Sequence, residues 1–354
     1  MVLPTVQARF VLAKRPEGNF REGEHLVFEQ SARLPEVNEG QVLIRNLYMS
    51  LDPALRPQMS IRTYVEPVPV GGPMRATTVG EVVVAAGGLQ EGEIVMGLGG
   101  WQEYYIADVK DVRRVLLPHG APIQAALGIL GITGITAYFG LLRVGAAIAG
   151  ETVVVSGAAG ATGSVAAQIA KHVLGCTVVG IAGGTKKCQF LTEELGLDAA
   201  IDYKAEGNLS DAIRKACPKG VDVFFDNIGG DQLNACLRRM RRNGRVVLCG
   251  AISGYDQLGG EAANKLTGIP GNIMASIVSS RLRLEGFIVL DYAKEWPKAL
   301  SDLALWLQDG KIKNAETVVD GLPNAAQAFR QLFEGGNTGK LTVKIAELSR
   351  RSKL

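Results

Sequence analysis

Residues 151–164, ETVVVSGAAGATGS, decide the fold, because an apolar β-branched run breaks into glycines and then into an alanine-rich segment. The run 152–156 predicts a strand, and apolar residues recur at helical spacing from Val165 to Val173. The turn between them holds three glycines, Gly157, Gly160 and Gly163. Such a turn lets backbone N–H groups and the positive end of a helix dipole approach a diphosphate. The stretch therefore predicts a dinucleotide-binding turn.

The spacing G-x-x-G-x-x-G differs from the better-known G-x-G-x-x-G, so packing alone is an alternative role for these glycines. A second predicted strand, 176–181, ends where the residue that contacts the adenosine ribose is expected. Residues 182–187 (AGGTKK) hold two lysines there, and no carboxylate follows before Glu193. A carboxylate would favour the 2′-hydroxyl of NAD, whereas lysines favour the 2′-phosphate of NADP. The predicted cofactor is therefore NADP(H).

The composition is that of an ordinary soluble globular protein. The chain has 354 residues, of which 47% are hydrophobic and 21% charged, so one or two domains are expected. A net charge of +3 is too small to favour a nucleic acid as partner. The sequence has no 18-residue apolar window and no signal-peptide pattern. We therefore predict a cytoplasmic protein with no membrane partner.

Residues that bind metals are few and scattered in the sequence. The cysteines are Cys176, Cys188, Cys217, Cys236 and Cys249, and the histidines are His25, His119 and His172. A catalytic zinc needs three convergent ligands and a structural zinc needs four, and the sequence has no C-x-x-C pair or other clustered set. The sequence therefore predicts no metal, and cysteines that are reduced thiols.

The first part of the chain, residues 1–124, is strand-like. Glycine and proline clusters separate short β-branched or alternating runs. The predicted strands are 41–49, 78–85, 93–98, 102–107 and 112–117. Many short strands with little helix between them indicate a small barrel or sandwich.

From residue 125 onward, predicted strands and helices alternate. After the first two strands come 199–203, 221–227, 245–250 and 282–290, with a later helix at 298–307. Near-continuous apolar strands joined by helices predict a doubly wound parallel sheet over 125–300. Ligands should then bind at the carboxyl ends of the strands, where Asn227 and residues 250–255 lie. Residues 301–354 are expected to return to the first domain.

Taken together, the motifs resemble the zinc-independent medium-chain dehydrogenase/reductases, and within them the group of prostaglandin reductases, leukotriene dehydrogenases and alkenal double-bond reductases. The resemblance covers nearly the whole chain. Its motifs are MSLDPALRPQM (49–59), GWQEYY (100–105), TGITAYFGLL (133–142), GAAGATGS (157–164), FFDNIGG (224–230), GAISGY (250–255), LRLEGFIV (282–289) and GNTGKL (336–341). The resemblance implies a Rossmann domain beside a GroES-like β-barrel catalytic domain.

The resemblance also implies the cofactor-binding residues. Lys187 and Tyr203 would hold the 2′-phosphate of NADP, and Tyr255 would lie closest to the chemistry. The glycine turn and the first helical turn would bind the diphosphate through Gly157, Gly160, Ala161, Thr162 and Gly163. The nicotinamide end would be bound by Asn227, Cys249, Gly250, Ser253, Tyr255, Phe287, Ile288, Val289 and Asn337. Simpler roles stay open, because Tyr255 could cap a strand, and Asn227 and Asn337 could be turn residues.

The implied chemistry is hydride transfer from NADPH to the β-carbon of an α,β-unsaturated ketone or aldehyde. The enolate charge would be met by Tyr255 or by a ribose hydroxyl that it orients. The runner-up is a zinc-free NADPH quinone reductase, and a non-catalytic NADPH-binding protein is a further alternative. A short-chain dehydrogenase is excluded, because no tyrosine has a lysine four residues later.

Three further expectations concern the pocket, assembly and location. Plant members of the group carry tyrosines where this chain has Ala54 and residues 76–78, so the resemblance does not give the substrate. Trp101 is expected to lie either in the pocket or in the core. The apolar strand 282–290 is expected at a sheet edge, where it would pair with its copy in a homodimer.

The tripeptide Ser352-Lys353-Leu354 resembles a peroxisomal signal, which a eukaryotic cell would recognise if the polar tail is exposed.

Overall fold

The computed structural model describes residues 4–34, 36–258, 270–350 and 352. Strands dominate its first part: β1 (Val6–Leu12), β2 (Leu26–Arg33), β3 (Gln41–Ser50), β4 (Thr78–Val84), β5 (Ile94–Gly97), β6 (Tyr104–Asp108) and β7 (Arg113–Arg114). Strands β1 and β2 form an antiparallel ribbon, and β3 to β7 pair antiparallel with one another. One short helix, α1 (Leu55–Ser60), follows β3.

The middle of the chain alternates strands and helices. Its strands are β8 (Thr152–Ser156), β9 (Thr177–Ala182), β10 (Ala199–Asp202), β11 (Val221–Asp226), β12 (Met240–Leu248) and β13 (Arg283–Gly286). The helices around them are α2 (Ile132–Phe139), α3 (Ala161–Gln168), α4 (Thr185–Gln189), α5 (Leu209–Ala216), α6 (Gly230–Leu237), α7 (Gly271–Ser280) and α8 (Trp296–Gln308). The strands form one six-stranded parallel sheet in the order β10-β9-β8-β11-β12-β13.

That strand order reverses between β8 and β11, which defines the switch point of a doubly wound sheet. Both faces of the sheet are buried, because alternate residues of β8 pack into different cores. Val153 and Val155 join one apolar cluster with Phe225, whereas Val154 joins another with Phe224. Central strands that are buried on both faces need helices on both sides of the sheet. The predicted α/β class with a doubly wound parallel sheet is therefore confirmed.

The last part of the chain contains β14 (Glu316–Asp320), α9 (Ala325–Glu334) and β15 (Lys340–Lys344). Strand β15 pairs antiparallel with β3 and parallel with β14. The second sheet therefore runs β14-β15-β3-β4-β5-β7, with β6 also paired to β3. The domain boundaries at 124/125 and 300/301 stay a prediction, and residue 300 lies inside α8.

Short helical segments join the main elements. Helices α2, α3 and α4 each continue through a π-helical turn, at Gly140–Val144, Ile169–Val173 and Phe190–Glu194. Short 3₁₀ segments are Val109–Asp111, Ile123–Leu127, Ile252–Gln257, Val289–Glu295 and Leu322–Asn324. The segment Ile252–Gln257 follows β12 and carries Tyr255, so it lies at the carboxyl edge of the parallel sheet.

Several predicted elements differ from the observed ones. The predicted strand 282–290 ends at Gly286, because the chain turns into a 3₁₀ segment soon after it. The predicted strand 112–117 is reduced to Arg113–Arg114. Trp101 lies in the core, where it is fully buried and contacts Phe10 and Phe329 edge-on. Four strands were not predicted, β1, β2, β14 and β15.

The polar tail after Ile345 is bound to the second sheet rather than free. The Ile345 N–H donates to the Leu47 carbonyl at 2.7 Å. The Arg45 guanidinium donates to the Glu347 carbonyl at 3.0 Å, and the Ser349 hydroxyl donates to the Glu81 carboxylate. The tail is therefore attached to the second sheet as far as Ser349, although Glu347 and Leu348 remain exposed as expected. Lys353 and Leu354 lie outside the described residues, so the peroxisomal signal stays a prediction.

Candidate active site

The glycine turn after β8 has no room for a side chain at Gly163, where the helix backbone lies against Gly157. Gly157 has φ +56°, in the left-handed region that favours glycine. A Cβ on Gly163 would lie 2.3 Å from the Gly157 carbonyl oxygen. Gly160 precedes α3, and among the described residues no side chain caps this end of the helix. The N–H groups of the first turn, Ala161, Thr162 and Gly163, are therefore left for an anion.

The loop before β15 meets this turn. The Gly339 N–H donates to the Ala159 carbonyl at 2.7 Å, and Gly339 forms a bridge with Gly160. Asn337 is buried, and its Nδ2 donates to the Gly339 carbonyl at 2.8 Å. Asn337 thus stabilises its own loop beside the glycine turn. Its predicted contact with the nicotinamide end stays a prediction.

A buried hydrogen-bond network lies at the switch point. The Ser156 hydroxyl donates to Asp226 Oδ1 at 2.6 Å. Asn227 bonds to Ser156 twice: its backbone N–H donates to Ser156 Oγ at 2.8 Å, and its Nδ2 donates to the Ser156 carbonyl at 2.7 Å. The Asn227 amide is therefore held in one orientation at the point where β8 and β11 end.

Asp226 joins three strand ends although it is completely buried. Its carboxylate accepts the N–H groups of Ile228 and Gly229 at 3.0 and 3.1 Å. Its carbonyl accepts those of Cys249 and Gly250 at 2.9 and 3.1 Å. Burial raises the pKa of Asp226, while the bonds from Ser156 and the two amides oppose that rise. Sequence analysis missed this residue, although a single carboxylate at the end of an apolar strand was the signal.

Tyr255 is half-buried in the 3₁₀ segment Ile252–Gln257. Its hydroxyl oxygen accepts the Ala251 N–H at 3.2 Å. Ser253 fixes the same segment, because its N–H and hydroxyl donate to the Ile228 carbonyl at 3.1 and 2.6 Å. Burial raises the pKa of the Tyr255 phenol, and the Ala251 N–H opposes this. The phenol therefore stays protonated at neutral pH.

The part of the fold formed by β1 to β7, α1, β14, α9 and β15, here called the antiparallel unit, contributes a residue that sequence analysis missed. Tyr64 follows α1, and its phenol is close enough to raise the pKa of Tyr255 further, after burial. Partial burial and the charge of Asp52 raise the pKa of Tyr64, against the opposing effects of Gln58 and Arg75, although the side chain is 54% exposed. Burial also raises the pKa of Cys249 to about 12, so this thiol is not a nucleophile.

Phe287, Ile288 and Val289 follow β13 at the same sheet edge. The Phe287 ring packs into the core, where a Cβ on Gly140 would lie 2.8 Å from its Cζ. The Ile288 carbonyl accepts the Asp291 N–H at 3.0 Å, and the Val289 carbonyl accepts Trp296 Nε1–H at 3.1 Å. These interactions fix the backbone of the segment and occupy two of its three carbonyls.

The other end of the site contains an uncompensated positive charge. A Cβ on Gly183 would lie 2.9 Å from Tyr203 Cε1 and 3.0 Å from Lys204 Cε. Burial, together with the charge of Lys204, lowers the pKa of Lys187. Within the described ranges neither lysine forms an ion pair. Two cations that approach each other without a carboxylate favour a bound anion.

Asp202 lies before Tyr203 and Lys204 at the end of β10, and its carboxylate is held by backbone amides and interacts with Lys204 through charge rather than through an ion pair. Its Oδ1 accepts the backbone N–H groups of Gly184 and Lys204 at 2.8 and 3.0 Å. The Gly184 bond is the main reason that the pKa of Asp202 is lowered. Lys204 was missed by sequence analysis, although its position next to Tyr203 was a signal.

The predicted residues form one row along the carboxyl edge of the sheet rather than one cluster. Lys187 and Tyr203 follow β9 and β10, whereas Tyr255 follows β12. Strands β9 and β12 are three steps apart in the sheet, which corresponds to about 14 Å. The glycine turn lies between the two ends. Such a row suits an extended dinucleotide. The role of each residue stays a prediction.

Two other properties concern metals and membranes. Among the described residues, no group of three His, Cys, Asp or Glu side chains is arranged to hold a metal ion. In the same part of the chain, no helix combines the length and the apolar character needed to span a bilayer.

Comparison with known proteins places this chain in a family. Residues 8–115 match the family model of the N-terminal domain of oxidoreductase, and residues 161–305 match that of zinc-binding dehydrogenase. The chain is 39% identical over 349 residues to the NADPH-dependent curcumin reductase of Escherichia coli (strain K12), covering 96% of each protein. It belongs to the medium-chain dehydrogenase/reductase family.

Two more relatives agree with this membership. Prostaglandin reductase 1 of Mus musculus is 38% identical over 345 residues, which cover 96% of this chain and 99% of that protein. The crystal structure of CurA from Vibrio vulnificus in complex with NADPH has a TM-score of 0.88 and 38% identity, over 96% of this chain and 99% of that one. The predicted family, and the predicted Rossmann domain beside a GroES-like catalytic domain, are confirmed for this medium-chain dehydrogenase/reductase.

Proposed function

We propose that this chain uses NADPH to reduce the carbon–carbon double bond of α,β-unsaturated ketones or aldehydes at the β-carbon. The observation that carries the proposal is the hydrogen bonding of Tyr255. Its oxygen accepts the Ala251 N–H at 3.2 Å, so its own proton is free to be donated to a substrate carbonyl. An oriented donor at that oxygen stabilises the negative charge that develops during the reduction of an enone.

The broader class does not depend on this step. The chain is an NADP-dependent oxidoreductase of the prostaglandin reductase and curcumin reductase type. The predicted enzyme class and the predicted cofactor, NADP(H), are confirmed by these relatives. The choice of an enone or enal as substrate is our proposal.

The residues of this chain fit NADP(H) at two separate places. The uncapped first turn of α3 lies behind a glycine cradle that a Cβ on Gly163 would fill, and it would hold the diphosphate. Lys187 and Lys204 lack a carboxylate partner among the described residues, and they would hold the 2′-phosphate beside Tyr203. When bound, NADPH would supply the hydride to the β-carbon, and the α-carbon of the resulting enolate would take its proton from solvent or a side chain.

The side chains at the other end orient and protect the reacting groups. Tyr255 would donate to the substrate carbonyl oxygen as enolate character develops, and its raised pKa keeps it a neutral donor. The Asn227 amide is fixed by Ser156, which leaves its Oδ1 to accept a bond from the ribose. Asp226 holds the backbone of Cys249 and Gly250 under this site.

We also propose a homodimer formed through the sheet edge. Strand β13 is the last strand of the parallel sheet and pairs only with β12 among the described residues. It is largely exposed, and Val278 and Leu290 near it are exposed apolar side chains. An open edge invites pairing with a copy of itself. Light scattering should give twice the 37.6 kDa of the chain, and a particle of 37.6 kDa at micromolar concentration would contradict the proposal.

The test of the function is NADPH oxidation with a panel of enones, enals and quinones. Enones and enals should be reduced at the carbon–carbon bond, giving the saturated carbonyl product by mass spectrometry. Activity with quinones alone would favour the zinc-free quinone reductase. NADPH binding without turnover of any panel member would favour a non-catalytic NADPH-binding protein.

A further inference from the structure

A completely buried arginine connects the two sheets next to Tyr255. Arg56 lies in α1 of the antiparallel unit and is 0% exposed. Its Nε donates to Asp256 Oδ1 at 2.9 Å. Its Nη1 donates to Ser60 Oγ at 2.9 Å, and its Nη2 donates to the Gly18 carbonyl. The guanidinium is thus fixed by its own unit on two sides and by Asp256 on the third.

Asp256 belongs to the segment that carries Tyr255. That segment has two anchors on opposite sides of the tyrosine. Ser253 binds the Ile228 carbonyl in the Rossmann unit through its N–H and hydroxyl. Asp256 binds Arg56 in the antiparallel unit. The position of Tyr255 between them is therefore set jointly by both units.

The planar guanidinium of Arg56 fixes the direction in which Asp256 can bind it. Burial lowers the pKa of Arg56, and the charge of Asp256 offsets that effect. A buried cation needs a paired and hydrogen-bonded carboxylate, because its desolvation is otherwise uncompensated. The planar fork of arginine also fixes direction better than a lysine would. Asp256 consequently has one favourable position.

We propose that the Arg56–Asp256 ion pair is a positioning device that holds the Tyr255 hydroxyl at the substrate carbonyl. Neither residue of the pair needs to contact cofactor or substrate. The inference rests on the proposed function and adds to it, because it makes turnover depend on a contact between the two units. Displacing a reacting group by about 1 Å is enough to lower a rate about 10²-fold.

The first experiment removes both charges in the variant R56M/D256L. Replacing a buried ion pair with apolar residues often leaves stability unchanged, whereas removing one partner leaves a buried charge unpaired. The variant should therefore fold with a thermal midpoint close to that of the native enzyme. Its kcat with the best enone should fall about 10²-fold, while the NADPH dissociation constant from a fluorescence titration changes less than about threefold.

A double-mutant cycle with Tyr255→Phe separates positioning from general loosening. If the pair acts through the Tyr255 hydroxyl, R56M/D256L should lower kcat by less than about threefold once that hydroxyl is absent. Multiplicative losses in the cycle would overturn the proposal, as would native kcat in a folded R56M/D256L. The control is Glu66→Gln, which breaks the exposed Arg62–Glu66 pair (2.9 Å) in the stretch after α1 and should leave kcat unchanged.

A readout without catalysis keeps this inference separate from the proposed function. Because the Ala251 N–H is bonded to Tyr255, hydrogen exchange at that amide reports the position of the tyrosine. Exchange should be faster in R56M/D256L and in the second variant Asp256→Asn than in Glu66→Gln. Native exchange rates would overturn the positioning role even if the enzyme reduces enones. Inactivity of the native enzyme with the whole panel would instead refute the proposed function.

Discussion

The two ends of the candidate site are built differently. The adenosine-phosphate end consists of Lys187, Tyr203 and Lys204, which all follow strands of the parallel sheet, and its two lysines are half-buried and exposed cations respectively. The nicotinamide end combines a buried carboxylate, Asp226, with Tyr255, whose segment is anchored to both sheets. On the proposed assignment, one end would select a ligand by charge, whereas the other would hold a donor by geometry. The two ends should therefore respond differently to mutation and pH.

The largest effect is expected from Tyr255→Phe. The phenylalanine ring keeps the half-buried ring packing but loses the hydroxyl that accepts the Ala251 N–H and would donate to the substrate. Losing one oriented donor typically lowers kcat by about 10²–10³-fold. Steady-state kinetics with an enone should show this loss, while the NADPH dissociation constant stays nearly constant. Native turnover in a folded variant would return Tyr255 to a structural role.

The two ends also differ in how far the sequence predicted them. The glycines and Lys187 lie beside predicted strand ends, so local pattern and residue type were enough to propose them, whereas Tyr203 was proposed from the family resemblance alone. The fixed geometry around Tyr255 depends on Arg56, which is 200 residues away from Asp256 in the chain. No local pattern indicates a pairing over that separation.

Burial of apolar runs explains some of the successes and failures in the fold, but not the missed β15, which is buried. Strands β8 and β11 are apolar runs buried on both faces, so their pattern was clear. Strand β2, LVFEQSAR, is polar and largely exposed, and β14 has no fully buried residue. Both strands depend on pairing with a partner strand rather than on their own composition. The bound tail was missed likewise, because its polar residues bond to β3 and β4.

Lys187→Ala should produce the next largest effect, at the opposite end of the site. A charge-assisted bond to the 2′-phosphate contributes about 1.5–3 kcal/mol. The KM for NADPH should therefore rise about 10- to 100-fold, with kcat and the KM for NADH little changed. Equal use of NADH and NADPH by the native enzyme would contradict the assignment of this end.

The pH dependence of cofactor preference should distinguish the two ends further. Below about pH 6 the 2′-phosphate takes up a proton and loses charge. At high pH Lys187 loses its proton, and because burial and Lys204 lower its pKa, this loss begins below the range of an ordinary lysine. The preference for NADPH over NADH should therefore rise above pH 6 and fall again at alkaline pH.

The control for this pH profile is the Lys187→Ala variant. Its preference should still change near pH 6, since the phosphate remains, but the alkaline decrease should be reduced. The ratio of kcat/KM for NADPH to that for NADH, measured from pH 5.5 to about 10, shows both the rise near pH 6 and the alkaline decrease. The raised pKa of Tyr255 predicts no loss of turnover from this phenol below about pH 10. If the NADPH preference of Lys187→Ala decreases equally at alkaline pH, a group other than Lys187 causes that decrease.

The smallest effect should come from Lys204→Met, which retains an aliphatic side chain beside Gly183 but removes the second cation. Lys204 is exposed, and an exposed charge contributes only about 0.2–1 kcal/mol because water and salt screen it. The KM for NADPH should therefore rise only about two- to fivefold, and less at high salt. Lys186→Met is the matched control, since Lys186 is also exposed and precedes Lys187, and it should leave the KM unchanged. If Lys186→Met and Lys204→Met raise the KM equally, the effect comes from general surface charge, and Lys204 has no specific role at the 2′-phosphate.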